Sequence, residues 1–453
     1  MHAAIPAAST ATRPPLAFSV PEDTATSAPL AARCSAPIRL AGERLTVDRK
    51  TGEIMEHFAS ADAPDGVVLV ACGNRRSSRC PSCSTTYRRD AYALVRAGLT
   101  GDEVRGVSAG LASHPRVFAT LTAPSFGAVH RRLVHGGSVL PCHRGANEAT
   151  CSHGRPLTCP VRHADQDPAL GQPLCPDCYD YAGAVLWNAH AAALWRRTTI
   201  RMSRILAARA GVSRTEIGRL VALSFVKVAE FQTRGLVHLH VILRLDGPER
   251  SAPPSWASTD LLSEIVASAA AQSWLRIVRP NGTPFVVRWG TQLDIRAIRP
   301  NAQGEGSDTA VCGYVAKYST KAAENAGGAD RRLRSSYEIG QLAVTDHARA
   351  MMATCWALGG LAQYEHLRLR AWAHMLGFRG HFLTKARRYS VTFGALRTSR
   401  VRFKMKLAFI ARALAGETVF DPDSTLVIGR FAFAGVGLLN LPRVEGAGER
   451  SAP

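Results

Sequence analysis

LSFVKVAEFQTRGLVHLHVILRLDG, from Leu223 to Gly247, decides how the chain is read. Two apolar runs flank Thr233-Arg234-Gly235, a loop whose length and glycine close a β-hairpin through a left-handed residue. On the second run Val237, Leu239, Val241 and Leu243 alternate with His238 and His240, so one face is aliphatic and the other carries two imidazoles. A three-residue loop pairs Gln232 with Leu236, Phe231 with Val237 and Glu230 with His238. His-x-His also occurs in ordinary half-buried strands; the carboxylate across the hairpin makes this pair a metal candidate. Two neutral imidazoles and a carboxylate suit Mg²⁺, Mn²⁺ or Zn²⁺ and leave positions for water or a phosphate oxygen. Gln232 is the fallback third ligand.

Farther along, Asp308 is a candidate N-cap and Gly327-Gly328 a stop, so TAVCGYVAKYSTKAAENA reads as one helix of about five turns. Tyr314, Tyr318 and Lys321 then share a stripe bordered by Lys317. A phenol, with an ordinary pKa of about 10, is a weak nucleophile at neutral pH unless cations favour its anion. Two lysines and a divalent ion meet that need. The plainer alternative is a helix that packs two tyrosines into a core.

PRVFATLTAPS (Pro115 to Ser125), VHLHVIL and YVAKYSTK, in that order, resemble the three motifs of the HUH endonuclease superfamily of rolling-circle replication initiators, U being a bulky apolar residue. CGNRRSSRCPSC, PLCPDCYDYAGAVLW, RGLVHLHVILRLDG and WAHMLGFRGHFLTKARRYS are similar to the initiators of actinobacterial plasmids and integrative conjugative elements. The resemblance runs from about Cys34 to about Arg397. It implies an α+β nuclease core in which a central antiparallel sheet carries the histidines on a middle strand and packs against the tyrosine helix. It also implies that His238 and His240 hold Mg²⁺ or Mn²⁺ and that a tyrosine attacks the scissile phosphate, leaving a 5′-phosphotyrosine and a 3′-hydroxyl primer. Tyr318 is the safer nucleophile; Tyr314 stands where some initiators have a glutamate and is a second nucleophile or a supporting phenol. A relaxase or single-strand transposase with the same chemistry, and a zinc-containing regulator that binds DNA without cutting, are the alternatives.

The chain has 453 residues, 46% of them hydrophobic, with a net charge of +21 and pI near 10.1, which points to a polyanionic partner. Nucleic acid fits better than a membrane, because no apolar run of about 18 residues is present. Charge alone also suits a ribosomal or nucleoid protein; the resemblance implies origin DNA, single- and double-stranded, with a host helicase and polymerase and no nucleotide cofactor. Eleven cysteines in metal-type spacings, with no signal peptide before them, indicate a reducing cytoplasm.

Residues 1–33, rich in Ala, Pro, Ser and Thr, read as a disordered tail. A cysteine-rich module over 34–105 follows, with Cys34, Cys72, Cys80 and Cys83 as ligands of a structural Zn²⁺. The nuclease core spans 106–335 and carries a zinc-knuckle insertion at 142–178. There Cys151, Cys159, Cys175 and Cys178 repeat the C-x7-C spacing and end in C-P-D-C, a second zinc set in which spacing leaves Cys142 or a histidine as a substitute for Cys151. Asp180 or a neighbour starts a long helix with Trp187 and Trp195 in the core, residues 259–279 read as an amphipathic helix, and 284–299 as one or two strands. The loop Asn301 to Ser307 is a hinge candidate. A basic DNA-binding region occupies 336–441 and a frayed tail 442–453. From His366 to Gly416 there are twelve Lys or Arg and no acid, interleaved with aromatics, so Arg379, Lys385, Arg387, Arg388 and Arg397 are candidate phosphate contacts.

Overall fold

The computed structural model describes residues 31, 33–63, 65–143, 150–299, 307–321, 326–416 and 423–437. The expected terminal tails, apart from Ala31 and Arg33, and the hinge candidate before Ser307 lie outside them. The chain divides into two compact units, one of residues 88–393 and one combining the residues before 88 with those from 394 onward. The cysteine spacing, the motifs and the basic composition place boundaries after 105 and 335. No helix among the described residues is long and apolar enough to cross a membrane.

In the unit holding the N-terminal residues, strands β1 (Ile38–Asp48), β2 (Ile54–Ala59) and β3 (Val68–Val70) form antiparallel pairs around β1. Asp48 accepts from the backbone N–H groups of Lys50 and Thr51 and so shapes the turn into β2. Helix α1 (Pro81–Thr100), whose residues from Arg88 on belong to the other unit, opens on a proline, where the missing N–H breaks no helical bond.

The unit of residues 88–393 is a mixed α/β body around one antiparallel sheet. Its elements are β4 (Arg116–Leu121), the small hairpin β5 (Leu133–His135) and β6 (Ser138–Leu140), α2 (Tyr181–Arg209), β7 (Ala222–Phe231) and β8 (Val237–Asp246). Then come α3 (Thr259–Gln272), β9 (Trp274–Val278), β10 (Pro284–Arg288), β11 (Leu293–Ala297), α4 (Asp308–Ser319), α5 (Asp346–Leu358) and β12 (Leu383–Lys385). The sheet order is β11-β4-β8-β7-β12, which puts the histidine strand in the middle. Val117, Ala119 and Leu121 of β4 and Leu239, Val241, Leu243 and Leu245 of β8 share one core with α2, α3 and α5, including Trp187 and Trp195.

Two expected helices end early. The stretch expected as one helix over 259–279 breaks at Ser273, whose hydroxyl bonds back to the Ala269 carbonyl, and Trp274–Val278 continues as a strand. Helix α4 is 12 residues long; the Ser319 and Thr320 hydroxyls bond the carbonyls of Ala316 and Lys317 and satisfy its last turn. Its N-cap is Ser307, which accepts from the Ala310 N–H. Asp308, the expected cap, instead pairs with the buried Arg116 guanidinium at 3.0 Å.

After α6 (Phe393–Leu414), the last strand β13 (Thr425–Val436) lies antiparallel to β1 from Ile38↔Val436 to Asp48↔Thr425 and widens the sheet of that unit. The basic block from 366 to 416 is thereby split: its part up to 393 packs in the unit of residues 88–393, with Phe378, Phe382 and Tyr389 buried as core rather than displayed for stacking.

Candidate functional site

Gly235 adopts φ +74° and closes the hairpin, and the register pairs Glu230 with His238 and Phe231 with Val237, as a three-residue loop requires. Asn188 of α2, fully buried, donates to the carbonyls of Gly235 and Leu376 and accepts from the Val237 N–H, so the loop is fixed from below. Arg234 donates to the carbonyls of Ala123 and Pro124 and to the amide oxygen of Gln232, the fallback ligand.

Glu230 Oε2 lies 3.0 Å from His238 Nε2 and 3.0 Å from His240 Nε2, and the two imidazole nitrogens are 3.1 Å apart. Adjacent ligands on an octahedral ion at ~2.1 Å are separated by about 3.0 Å, so the three atoms occupy the spacing of one face of such an ion. Burial pushes the His240 imidazole down and favours the neutral form that a metal needs. Burial pushes the Glu230 carboxyl up, but hydrogen bonds from His238, His240 and Lys321 outweigh it and hold the group at about 2.

Helix α4 lies on this face of the sheet. The Tyr314 hydroxyl is 3.1 Å from His240 Nε2, and the two phenol rings are 4.4 Å apart between centroids. Burial, then the neighbouring Tyr318 and Glu230, push the Tyr314 phenol well above its ordinary pKa. Lys321 lies just beyond the helix, not on it; its ammonium donates to Glu230 Oε1 at 3.0 Å and sits 4.1 Å from the centre of the Tyr318 ring. Lys317 is exposed, 5.8 Å from the same ring. Three further residues carry no motif of their own: Thr120 holds His240 Nδ1 at 3.0 Å, Phe118 stacks on the His240 ring, and Arg116 pins the first residue of α4. Only their alternation on β4, opposite β8, could have signalled them. A cleft of about 280 Å³ lined by Phe118, Thr120, Asp294, Arg296 and Tyr314 opens on the Tyr314 side of the site.

Among the cysteines, Cys34, Cys72, Cys80 and Cys83 converge, with sulfurs of Cys72 and Cys83 3.7 Å apart, Cys80 and Cys34 3.7 Å, and Cys83 and Cys34 3.8 Å. Sulfurs at ~2.3 Å from a tetrahedral zinc are separated by about 3.8 Å, so this set fits Zn²⁺. The insertion is arranged differently from the expected four cysteines. Cys151, Cys175 and Cys178 gather around His153, whereas Cys159 lies with His130, Cys142 and His163. The repeated C-x7-C spacing misled because His153, two residues after Cys151, takes the place expected for Cys159.

The expected phosphate contacts are scattered. Arg387 and Arg388 are exposed after the sheet-edge strand β12, and Arg397 is exposed on α6. Arg379 donates to the His366 carbonyl. Lys385 is committed to the carbonyls of Ala386, Arg387 and Ser390, so it staples a turn.

The sequence model described as "Replication initiator protein, pSAM2" matches residues 22–445. A replication initiator protein of Streptomyces ambofaciens is 48% identical over 409 residues, covering 88% of this chain and 83% of that protein. No solved structure matches the chain. With the family match running from residue 22 to residue 445, through the hairpin, the tyrosine helix and the cysteine clusters, and a relative 48% identical over 88% of the chain, the chain belongs to this family of replication initiator proteins.

Proposed function

We propose that this initiator starts plasmid replication by cutting one strand of origin DNA with a tyrosine of a HUH-type site. The observation that carries the reading is the convergence of Glu230, His238 and His240 within 3.1 Å of one another, with the phenols of α4 directly beside them. Tyr318 is the nucleophile: the Lys321 and Lys317 ammoniums flank its ring and stabilise the phenolate as the proton leaves to solvent, while burial holds Tyr314 protonated. The Tyr318 oxygen bonds to phosphorus and the bond to the 3′ oxygen breaks, that oxygen taking up a proton to become a 3′-hydroxyl for a host polymerase. Attack by a 3′-hydroxyl on the phosphotyrosine reverses the exchange and rejoins the strand at termination. Each exchange replaces one phosphoester by another, so no nucleotide cofactor is consumed. A Mg²⁺ or Mn²⁺ ion held by Glu230, His238 and His240 would supply Lewis-acid stabilisation of the phosphate. Tyr314 is the second phenol, in reach for a later exchange. Arg379, Arg387, Arg388 and Arg397 contribute charge that holds the DNA backbone.

The test incubates the protein with Mg²⁺ or Mn²⁺ and a supercoiled plasmid bearing its own gene and flanks. Nicked circles and SDS-resistant adducts are expected from wild type and Tyr314→Phe, and neither from Tyr318→Phe or the double variant. His238→Ala with His240→Ala is expected to abolish nicking with little loss of DNA affinity. An adduct that survives either single tyrosine change but not both makes the two phenols interchangeable. No adduct from any form on a plasmid shown to contain the origin leaves a DNA-binding regulator as the better description.

A further inference from the structure

The two ligand groups of the insertion alternate along the chain. His130 and Cys142 belong to one group, Cys151 and His153 to the other, Cys159 and His163 to the first again, and Cys175 and Cys178 to the second. We propose that residues 128–178 form a cross-braced module that binds two structural zinc ions, each ion's ligand pairs straddling a pair that belongs to the other ion.

The centre of His130, Cys142, Cys159 and His163 has the contacts of a metal site. His163 Nε2 lies 3.6 Å from Cys159 Sγ, His130 Nδ1 is 3.9 Å from Cys142 Sγ, and the two imidazole nitrogens are 3.2 Å apart. Sulfur and nitrogen on one tetrahedral zinc are expected about 3.6 Å apart. Cys142, Cys159 and His163 are all buried. Asp167 takes His163 Nδ1 at 2.6 Å, which turns Nε2 toward the sulfurs in the manner of a carboxylate behind a metal-bound histidine. The Arg131 N–H donates to Cys142 Sγ at 3.2 Å. In the second centre His153 Nδ1 lies 3.2 Å from Cys178 Sγ and 3.8 Å from Cys175 Sγ.

The backbone ties the centres together. His143 and Cys159 exchange both backbone hydrogen bonds, joining the two ligand pairs of the first centre. His130 and Ala128 pair with Gly171, Gln172 and Leu174, the segment that leads into Cys175 of the second centre. Each ion therefore closes a loop in which ligands of the other lie, so the first ion bound lowers the entropic cost of closing the second loop. Binding is cooperative, and the thiols of both centres release their protons as the ions enter.

Native mass spectrometry of the full chain is expected to count three zinc ions, one in the N-terminal four-cysteine cluster and two in the insertion. His163→Ala and Cys178→Ser are each expected to lower the count to one, Cys34→Ser to two, and His143→Ala, whose ring touches Cys142 from outside the group, to leave three. A count of two in both insertion variants would overturn the interlock. A wild-type count of two, unchanged by His163→Ala, would overturn the His130 centre. The cobalt-substituted wild type needs no variant to fold: charge transfer from nine thiolates supports the three centres, and seven would remove the mixed one.

Discussion

Arg116 and Arg244 face each other across β4 and β8, two guanidiniums almost wholly out of water. Their charge is tolerated because Asp246 takes Arg244 through both oxygens, Asp308 takes Arg116, and the carbonyls of Gly98, Leu99 and Tyr389 accept further bonds, although Arg116 Nε and Nη2 are buried without a hydrogen-bond partner. Asp246 also bonds His114 and Ser224. Its replacement by Asn strands a buried cation, and a loss of about 3–5 kcal/mol is expected in urea unfolding. Burial alone would raise the Asp246 carboxyl, yet its bonds to His114 and Arg244 hold it below the ordinary 3.8. A carboxyl with a lowered folded pKa stabilises fully above its unfolded value of about 3.9, and that contribution fades as pH falls from about 5 through the folded value. The acid limb of the stability curve should therefore flatten in Asp246→Asn. At the proposed catalytic centre, Lys321→Met is expected to slow single-turnover nicking by about 10²-fold, because a charge aimed at both Glu230 and Tyr318 is lost. The sequence made Lys321 legible through helical spacing, although it lies past the helix end. It could not show Arg116 or Thr120, whose roles exist only once β4 lies beside β8.

The hairpin was the most legible element, because its period, loop length and register are all local. Two glycines show how tightly it is held. Gly235 has φ +74° and a Cβ there would come 3.1 Å from Leu376, so Gly235→Ala is expected to cost about 1–2 kcal/mol in thermal or urea unfolding. Gly171 of the insertion lies so close to the Thr233 and Arg234 backbone that a Cβ would fall 2.4 Å from the Thr233 carbonyl carbon. The cysteine-rich insertion thus presses on the loop that sets the His238 register. Asn188→Leu strands three backbone groups and is expected to speed amide exchange at Val237 before it changes exchange in α3. The element ends were less legible, since the hydroxyls of Ser273, Ser319 and Thr320 stop helices that periodicity alone would extend. Ligand sharing among the cysteines was illegible for another reason: equal spacings fit several partitions, and only the fold around them selects one.

Across the whole molecule, the basic block is divided between the two units, and its aromatic residues Phe378, Phe382 and Tyr389 are core. If Arg387 and Arg388 touch phosphates, their joint change to Ala should reduce the slope of log affinity against log salt by about 2, measured by fluorescence anisotropy. The pairing of β1 with β13 had no local signal, because register between strands so far apart leaves no period in the sequence. A chain ending at Gly416 should leave β1 without that neighbour and lose an early unfolding transition in calorimetry, while the transition of residues 88–393 persists. The same pairing sets a timetable for synthesis. Arg49, just after β1, bonds Thr425 at a separation of 376 residues, so at ~5–20 residues per second on the ribosome β1 waits roughly 20–75 s for its partner. The unit of residues 88–393 can be complete during that interval while an unpaired strand edge remains open to solvent or a chaperone. An initiator interrupted late in translation would therefore carry a finished unit of residues 88–393, with Glu230, His238 and His240 already gathered, attached to an unfinished sheet.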